Sequence, residues 1–189
     1  EIYNHRQLRK ELQNSGMISS NWIGKSDTET ILACFEAWGL NESIKKFVGM
    51  FSFVLLDKYT EKIFLVRDRF GEKPLYYGIL KNQTNMNNSF FTFASEISAF
   101  KSLIKLTSSI NLKALNSFFN FGYVRGPNSI REGIYQIQPG ELLEIKLKNH
   151  PNITNFSDLK RYKWFESKNL FQINEINQYK DREVLKKTE

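Results

Sequence analysis

The chain has 189 residues, 41% hydrophobic and 14% aromatic, enough for one well-cored domain plus an appendage and too short for two full domains. The formal net charge is +7, but acids interrupt the bases: Glu11 follows Arg6, Arg9 and Lys10, and Asp68 separates Arg67 from Arg69. That pattern reads as a solvated surface and argues against nucleic-acid binding. A single cysteine, Cys34, with only His5 and His150 besides, excludes an intrachain disulfide and a Cys/His metal cluster.

In chain order, Glu1-Ile2-Tyr3 reads as the end of a strand. Asn4 is placed to cap a helix carrying Leu8 and Leu12 on one face and stopping at Gly16. Ser26-Asp27-Thr28-Glu29 has the form of a capping box. The helix it opens bears Ile31, Leu32, Phe35 and Trp38 at 3- and 4-residue spacing and ends at Gly39. A short helical segment, Glu42 to Phe47, follows. Cys34 lies among apolar neighbours in mid-helix, which makes it a packing residue with nothing to lower its pKa.

Phe51 to Leu56 is almost wholly apolar and should be covered on both faces. A polar turn joins it to Ile63–Val66 in a hairpin. Leu75 to Leu80 and Phe90 to Ala94 form a second hairpin around the Asn-rich tip Asn82–Asn88. Helices follow at Glu96–Leu103 and Asn111–Phe121, then a last strand, Glu141 to Leu147. A sheet buried on both faces implies stacked layers. From about His150 the chain is polar with isolated aromatics and reads as a linker, so residues 1–149 are expected to form the domain and 150–189 the linker. No apolar run approaches the roughly 20 residues that span a bilayer, and the beginning lacks a signal peptide's apolar core. A cytoplasmic location is expected.

Several ordered motifs carry a resemblance. They are Glu1-Ile2-Tyr3-Asn4, Ser26-Asp27-Thr28-Glu29, Gly49-Met50-Phe51-Ser52-Phe53, the corner from Arg67 to Tyr77 (Arg-Asp-Arg-Phe-Gly-Glu-Lys-Pro-Leu-Tyr-Tyr), Ser95-Glu96-Ile97 and Pro139-Gly140-Glu141-Leu142-Leu143. One alone is weak; the ordered set is specific. Over roughly residues 1 to 147 the chain resembles the glutaminase half of glutamine-hydrolysing asparagine synthetases, a class II glutamine amidotransferase. The fold this implies is the α+β four-layer α/β/β/α sandwich of antiparallel sheets of N-terminal-nucleophile hydrolases, here incomplete.

The chemistry the resemblance implies is amide hydrolysis. A thiolate attacks the glutamine side chain, the α-amine shuttles the proton, and an Asn side chain with a Gly N–H holds the oxyanion. Ammonia then passes to a C-terminal synthetase domain that activates aspartate. Asp27 is by resemblance the acceptor for the α-ammonium of glutamine; on its residue pattern alone it is an ordinary first-turn acid. Glu1 is carried over as a second glutamine-binding residue. No catalytic residue and no metal ligand is assigned. Arg67, Asp68 and Arg69 are read as bracing a turn, with Gly71 and Pro74 shaping it.

In the family the nucleophilic cysteine, the arginine for the glutamine carboxylate and the Asn-Gly pair precede the position of Glu1. The ATP-binding loop follows the position of Glu189. The expectation is therefore a fragment, inactive by itself, holding no cofactor, with ATP and Mg belonging to the synthetase domain. Glutamine and that domain are the expected partners, with homodimerisation in the parent and no nucleic acid or membrane. Two alternatives stay open: a glutaminase serving another acceptor, such as a sugar phosphate, and a non-enzymatic binding or regulatory remnant.

Overall fold

The computed structural model describes residues 1–18, 22–81, 89–102, 109–147 and 159–166. Two antiparallel sheets form its centre. One has four strands in the order β1-β2-β6-β7 and the other three in the order β4-β3-β5. Their residues are β1 Ser52–Asp57, β2 Lys62–Arg67, β3 Tyr76–Lys81, β4 Ser89–Ala94, β5 Ile134–Gln136, β6 Glu141–Lys146 and β7 Leu159–Lys163. The helices are α1 (His5–Asn14), α2 (Asp27–Lys46), a short 3-10 helix (Ile97–Ser102) and α3 (Leu112–Phe121).

Strand alternation builds two cores from one sheet. On β2 and β6, Val66 and Leu142 face the helices and join Leu8, Leu12, Cys34, Ile44, Phe47 and Phe51. Their neighbours Leu65, Leu143 and Ile145 face the second sheet and meet Leu75, Tyr77, Ile137 and Leu159. A third, smaller cluster places Phe100 of the 3-10 helix against Ile134, Tyr76 and Ala94. The layers are thus helices, sheet, sheet and a thin outer helical layer, the expected α+β sandwich. The side chains that fill both faces explain why the inner strands read as continuous apolar runs.

Several local expectations need correction. Strand β1 is packed on both faces, Phe53 in the cluster toward the helices and Val54 in the cluster toward the second sheet, but as an edge strand it is only half-buried, with Leu56 49% exposed. The Ser26–Glu29 capping box does not close. Ser26 Oγ accepts the Thr28 N–H at 3.1 Å, while the Glu29 carboxylate turns back to accept Ile23 N at 2.9 Å and Gly24 N at 2.9 Å. Asn4 makes no side-chain cap for α1. Its amide instead bridges to α2's end, donating to the Lys46 carbonyl at 3.0 Å and accepting Val48 N at 3.0 Å.

As expected, Gly39 breaks the helical conformation with φ 73°, so that α2 is two helical segments on either side of a kink, the second ending at Lys46. Residues Ile97–Ser102 are 3-10 where an α-helix was expected. Strand β5, only three residues long, carries no sequence signal of its own. The Asn-rich tip 82–88 lies outside the described residues. Within the stretch read as linker, Leu159–Lys163 pairs antiparallel with β6, and Trp164 and Phe165 donate backbone N–H groups to the Gly140 carbonyl at 3.0 and 3.3 Å.

Candidate functional site

The corner after β2 fixes one wall of the candidate site. Asp68 is fully buried. Its carboxylate accepts the backbone N–H groups of Phe70 (3.1 Å), Glu72 (2.9 Å) and Lys73 (3.0 Å). Arg67 donates to the carbonyls of Lys73 (2.9 Å), Ile137 (2.6 Å) and Gly71, and burial lowers its pKa. Arg69 donates to the carbonyls of Phe47 and Lys45, closing the last turn of α2, where a cation also complements the helix dipole. The charged corner is therefore structural: its side chains satisfy main-chain groups. It presents Lys73 and Pro74 to the site, and Ser52 Oγ donates to the Pro74 carbonyl at 3.2 Å, joining the corner to β1.

The opposite wall comes from the start of the chain and the start of α2. Residues 1–3 run beside Gly49: Ile2 and Gly49 form an isolated bridge, Tyr3 N donates to the Val48 carbonyl at 2.7 Å, and Glu1 N donates to the Met50 carbonyl at 2.7 Å. Gly49 has φ +150°, and a Cβ there would lie 2.2 Å from the Glu1 carbonyl oxygen. Only glycine permits this approach.

Asp27 Oδ2 accepts the Ile2 N–H at 2.8 Å, and Ser26 Oγ reaches Oδ1 at 3.3 Å. Partial burial opposes ionisation of Asp27. The Ile2 N–H and the Ser26 hydroxyl act against it, and the carboxyl is held below its ordinary value of 3.8.

Arg9 of α1 secures this wall. Its guanidinium donates to Thr30 Oγ1 (2.7 Å) and to the carbonyls of Gly24 (2.9 Å) and Ser26 (2.8 Å). It pairs with Glu29 at 3.4 Å and lies over the Trp22 ring, 4.2 Å from its centroid. The sequence places Arg9 among surface charges. In the folded chain it organises the turn that presents Asp27, a role no local spacing announces.

Between the walls lies a cleft of about 440 Å³. Glu1 and Asp27 both line it, with Lys73 and Ser95 as further polar groups and Ile31, Phe35, Phe53 and Met50 among the apolar ones. The two residues singled out from the sequence are thus brought together. Lys73, Ser52 and Ser95 join them without having been singled out, since nothing in the sequence says which side of the corner or of β1 faces the cleft. Glu1 is exposed and Asp27 half-buried. Such an arrangement of two carboxylates suits a ligand ammonium group.

Cys34 lies outside this site. It is fully buried, and burial, with the Glu11 charge adding to it and Lys46 partly offsetting, pushes its thiol up to about 12. It is not a nucleophile. Among the described residues no group of three or more His, Cys, Asp or Glu is placed to hold a metal ion, and no helix is long and apolar enough to cross a membrane.

Comparison with known proteins agrees with this geometry. Residues 1–157 match the family model of the glutamine amidotransferase domain. Glutamine-hydrolysing asparagine synthetase 1 of Bacillus subtilis (strain 168) is 33% identical over 148 residues, 77% of this chain and 21% of that protein. Asparagine synthetase 2 of the same organism is 33% identical over 159 residues, 82% of this chain and 20% of the relative. A putative asparagine synthetase of Methanocaldococcus jannaschii is 30% identical over 149 residues, 78% of this chain and 26% of the relative. The chain thus spans about a fifth to a quarter of the length of these relatives.

Among solved structures, the allosteric regulatory enzyme of purine biosynthesis superposes with a TM-score of 0.54 at 19% identity, over 86% of this chain and 26% of that one. It shares the fold. The match over residues 1–157 shows that the chain belongs to the glutamine amidotransferase domain family.

Proposed function

We propose that residues 1–149 are the glutamine-recognising part of a glutamine-hydrolysing amidotransferase of the asparagine-synthetase type. The observation that carries the reading is the convergence of Glu1 and Asp27 on one cleft, with Asp27 held ionised. The free amino acid is a zwitterion, and its α-ammonium is the group two carboxylates recognise through charge-assisted hydrogen bonds. Asp27 and Glu1 hold that ammonium, and the cleft between α2 and β1 receives the side chain.

Cys34 is the chain's single thiol and is buried. Residues 1–189 therefore supply recognition of glutamine and no thiol nucleophile. In the asparagine-synthetase reading, ammonia released from the amide passes to a synthetase domain that activates aspartate with ATP and Mg. These belong to that domain and call for no cofactor in residues 1–189. The acceptor assignment is supported by the relatives' names and by the ordered motifs through which this chain resembles that family.

Isothermal titration with glutamine tests the reading, with glutamate and 5-oxoproline as comparison ligands. Saturable binding of glutamine that weakens in Asp27→Asn is expected. 5-Oxoproline has no ammonium and should not bind. Equal affinity for glutamine and 5-oxoproline, or no binding of glutamine at all, overturns it.

A further inference from the structure

Four aromatic rings form a row that starts in the cleft and ends outside it. Phe35 of α2 lies against Phe53 of β1 at 5.5 Å between centroids, and Phe53 stacks on Phe51 at 5.8 Å. Phe51 in turn stacks on Trp164 at 6.1 Å, the two planes 22° apart. Phe35, Phe51 and Phe53 line the cleft. Trp164, the residue after β7, closes the row from beyond the cleft wall, in the stretch that the sequence marks as linker.

Main-chain and side-chain groups both fix this tryptophan. Its backbone N–H and that of Phe165 go to the Gly140 carbonyl, and its indole N–H donates to the Arg67 carbonyl at 3.2 Å. The Arg69 guanidinium lies over the Trp164 and Phe165 rings, 5.3 and 5.5 Å from their centroids. A Cβ on Gly140 would fall 2.5 Å from the Phe165 carbonyl oxygen, so a glycine is needed for the segment to lie this close.

These contacts converge on the corner that presents Lys73 and Pro74. Arg67 and Arg69 belong to it. Gly140 N donates to the Asp68 carbonyl at 2.7 Å, and Asp68 N donates to the Phe51 carbonyl at 2.9 Å. One indole therefore bears on two parts of the cleft, its ring on the aromatic row and its N–H on the base of the corner. Strand β1 pairs on one side only, so the position of its first residues leans on this packing. Close-packed rings pass a displacement from one to the next.

We propose that Trp164 is a positioning residue for the glutamine cleft, acting through Phe51 and the Arg67 carbonyl. The proposal rests on the reading of the cleft as a glutamine site. Without the indole, Phe51 and the start of β1 relax toward the vacated space, and a displaced wall weakens binding even when the change lies outside the site. The coupling is reciprocal, so glutamine in the cleft alters the surroundings of the indole.

Calorimetric titration with glutamine and fluorine NMR test it, the latter on the 189-residue chain with its three tryptophans fluorinated. Trp164→Leu should bind glutamine about tenfold more weakly. Trp164→Phe keeps a ring on Phe51 and loses the indole N–H, and should bind about threefold more weakly. Ile145→Ala opens a cavity in the core between the sheets; it should lower the thermal midpoint and keep the parent's affinity. The Trp164 signal, identified by its absence from Trp164→Phe, should move during the glutamine titration. Folded Trp164→Leu with an affinity within about twofold of the parent's overturns the proposal, as does an equal loss of affinity in Ile145→Ala. A Trp164 signal that stays in place at saturating glutamine also overturns it. Should Trp164→Leu not fold, Trp164→Phe and the NMR signal decide. A parent chain that binds no glutamine removes the glutamine reading itself and this proposal with it, whereas a parent that binds beside an indifferent Trp164 removes the proposal alone.

Discussion

Asp27 Oδ2 accepts the Ile2 N–H at 2.8 Å, spanning 25 positions of sequence. This bond aligns the start of α2 with the segment that carries Glu1, so one carboxylate both shapes the cleft and faces it. Asp27→Asn keeps the size but removes the charge. Loss of a charged hydrogen bond, about 1.5–3 kcal/mol, should weaken glutamine binding by about 10- to 100-fold, read by titration. The pH dependence follows from the lowered pKa of Asp27. A depressed carboxyl stabilises the fold and the bound ammonium above its ordinary value of 3.8, and loses both as pH falls through the lowered value. Affinity attributable to Asp27 should therefore hold from pH 7 down to about 4 and fall below it.

Arg9 reaches Thr30, Gly24 and Ser26 at once. Arg9→Lys keeps a charge but cannot reproduce a planar fork with several donors. It should cost about 1–3 kcal/mol in urea unfolding and speed amide exchange at residues 24–28. An unfolding midpoint equal to that of the parent chain would show that the fork contributes nothing.

Gly49→Ala places a methyl group 2.2 Å from the Glu1 carbonyl oxygen in the present geometry. Backbone must move, at about 1–3 kcal/mol. The displacement falls on Glu1 and Ile2, so glutamine affinity should drop together with the thermal midpoint. A stable variant with unchanged affinity would separate this approach from the site.

Asp68→Asn replaces one acceptor oxygen by an amide that faces N–H groups of Phe70, Glu72 or Lys73. Two donors then oppose each other in a buried corner. The cost should be about 2–4 kcal/mol, visible as a lower midpoint in chemical denaturation. Asp68→Ala should cost at least as much.

Cys34 offers a test of folding without perturbing the chain. With its thiol pushed up to about 12 by burial, it should resist a disulfide reagent at pH 8 in the native state and react at the rate of a free thiol in denaturant. Fast native labelling would contradict the packing of α2 on α1.

Much of this protein is legible in its residues alone. The break at Gly39, the hairpins around β1–β2 and β3–β4, the Asn111 cap and the two-faced apolar strands follow from backbone freedom and strand alternation, which are local. So does the inertness of Cys34. The ordered motifs give the family and mark Asp27. The rest depended on partners distant in sequence. Glu29 has the spacing of a capping box, yet Ile23 and Gly24 compete for its oxygens and win. Asn4 has the chemistry of a cap, yet the end of α2 takes its amide. Arg9 is one base among many until Trp22, Thr30 and Ser26 close around it. Strand β1 is as apolar as a central strand but stands at an edge, because edge or centre is decided by which strands pair. The sequence determined which residues are able to make these bonds; the tertiary structure decided which of several competing partners each donor met, because only in space are the alternatives brought within reach at once.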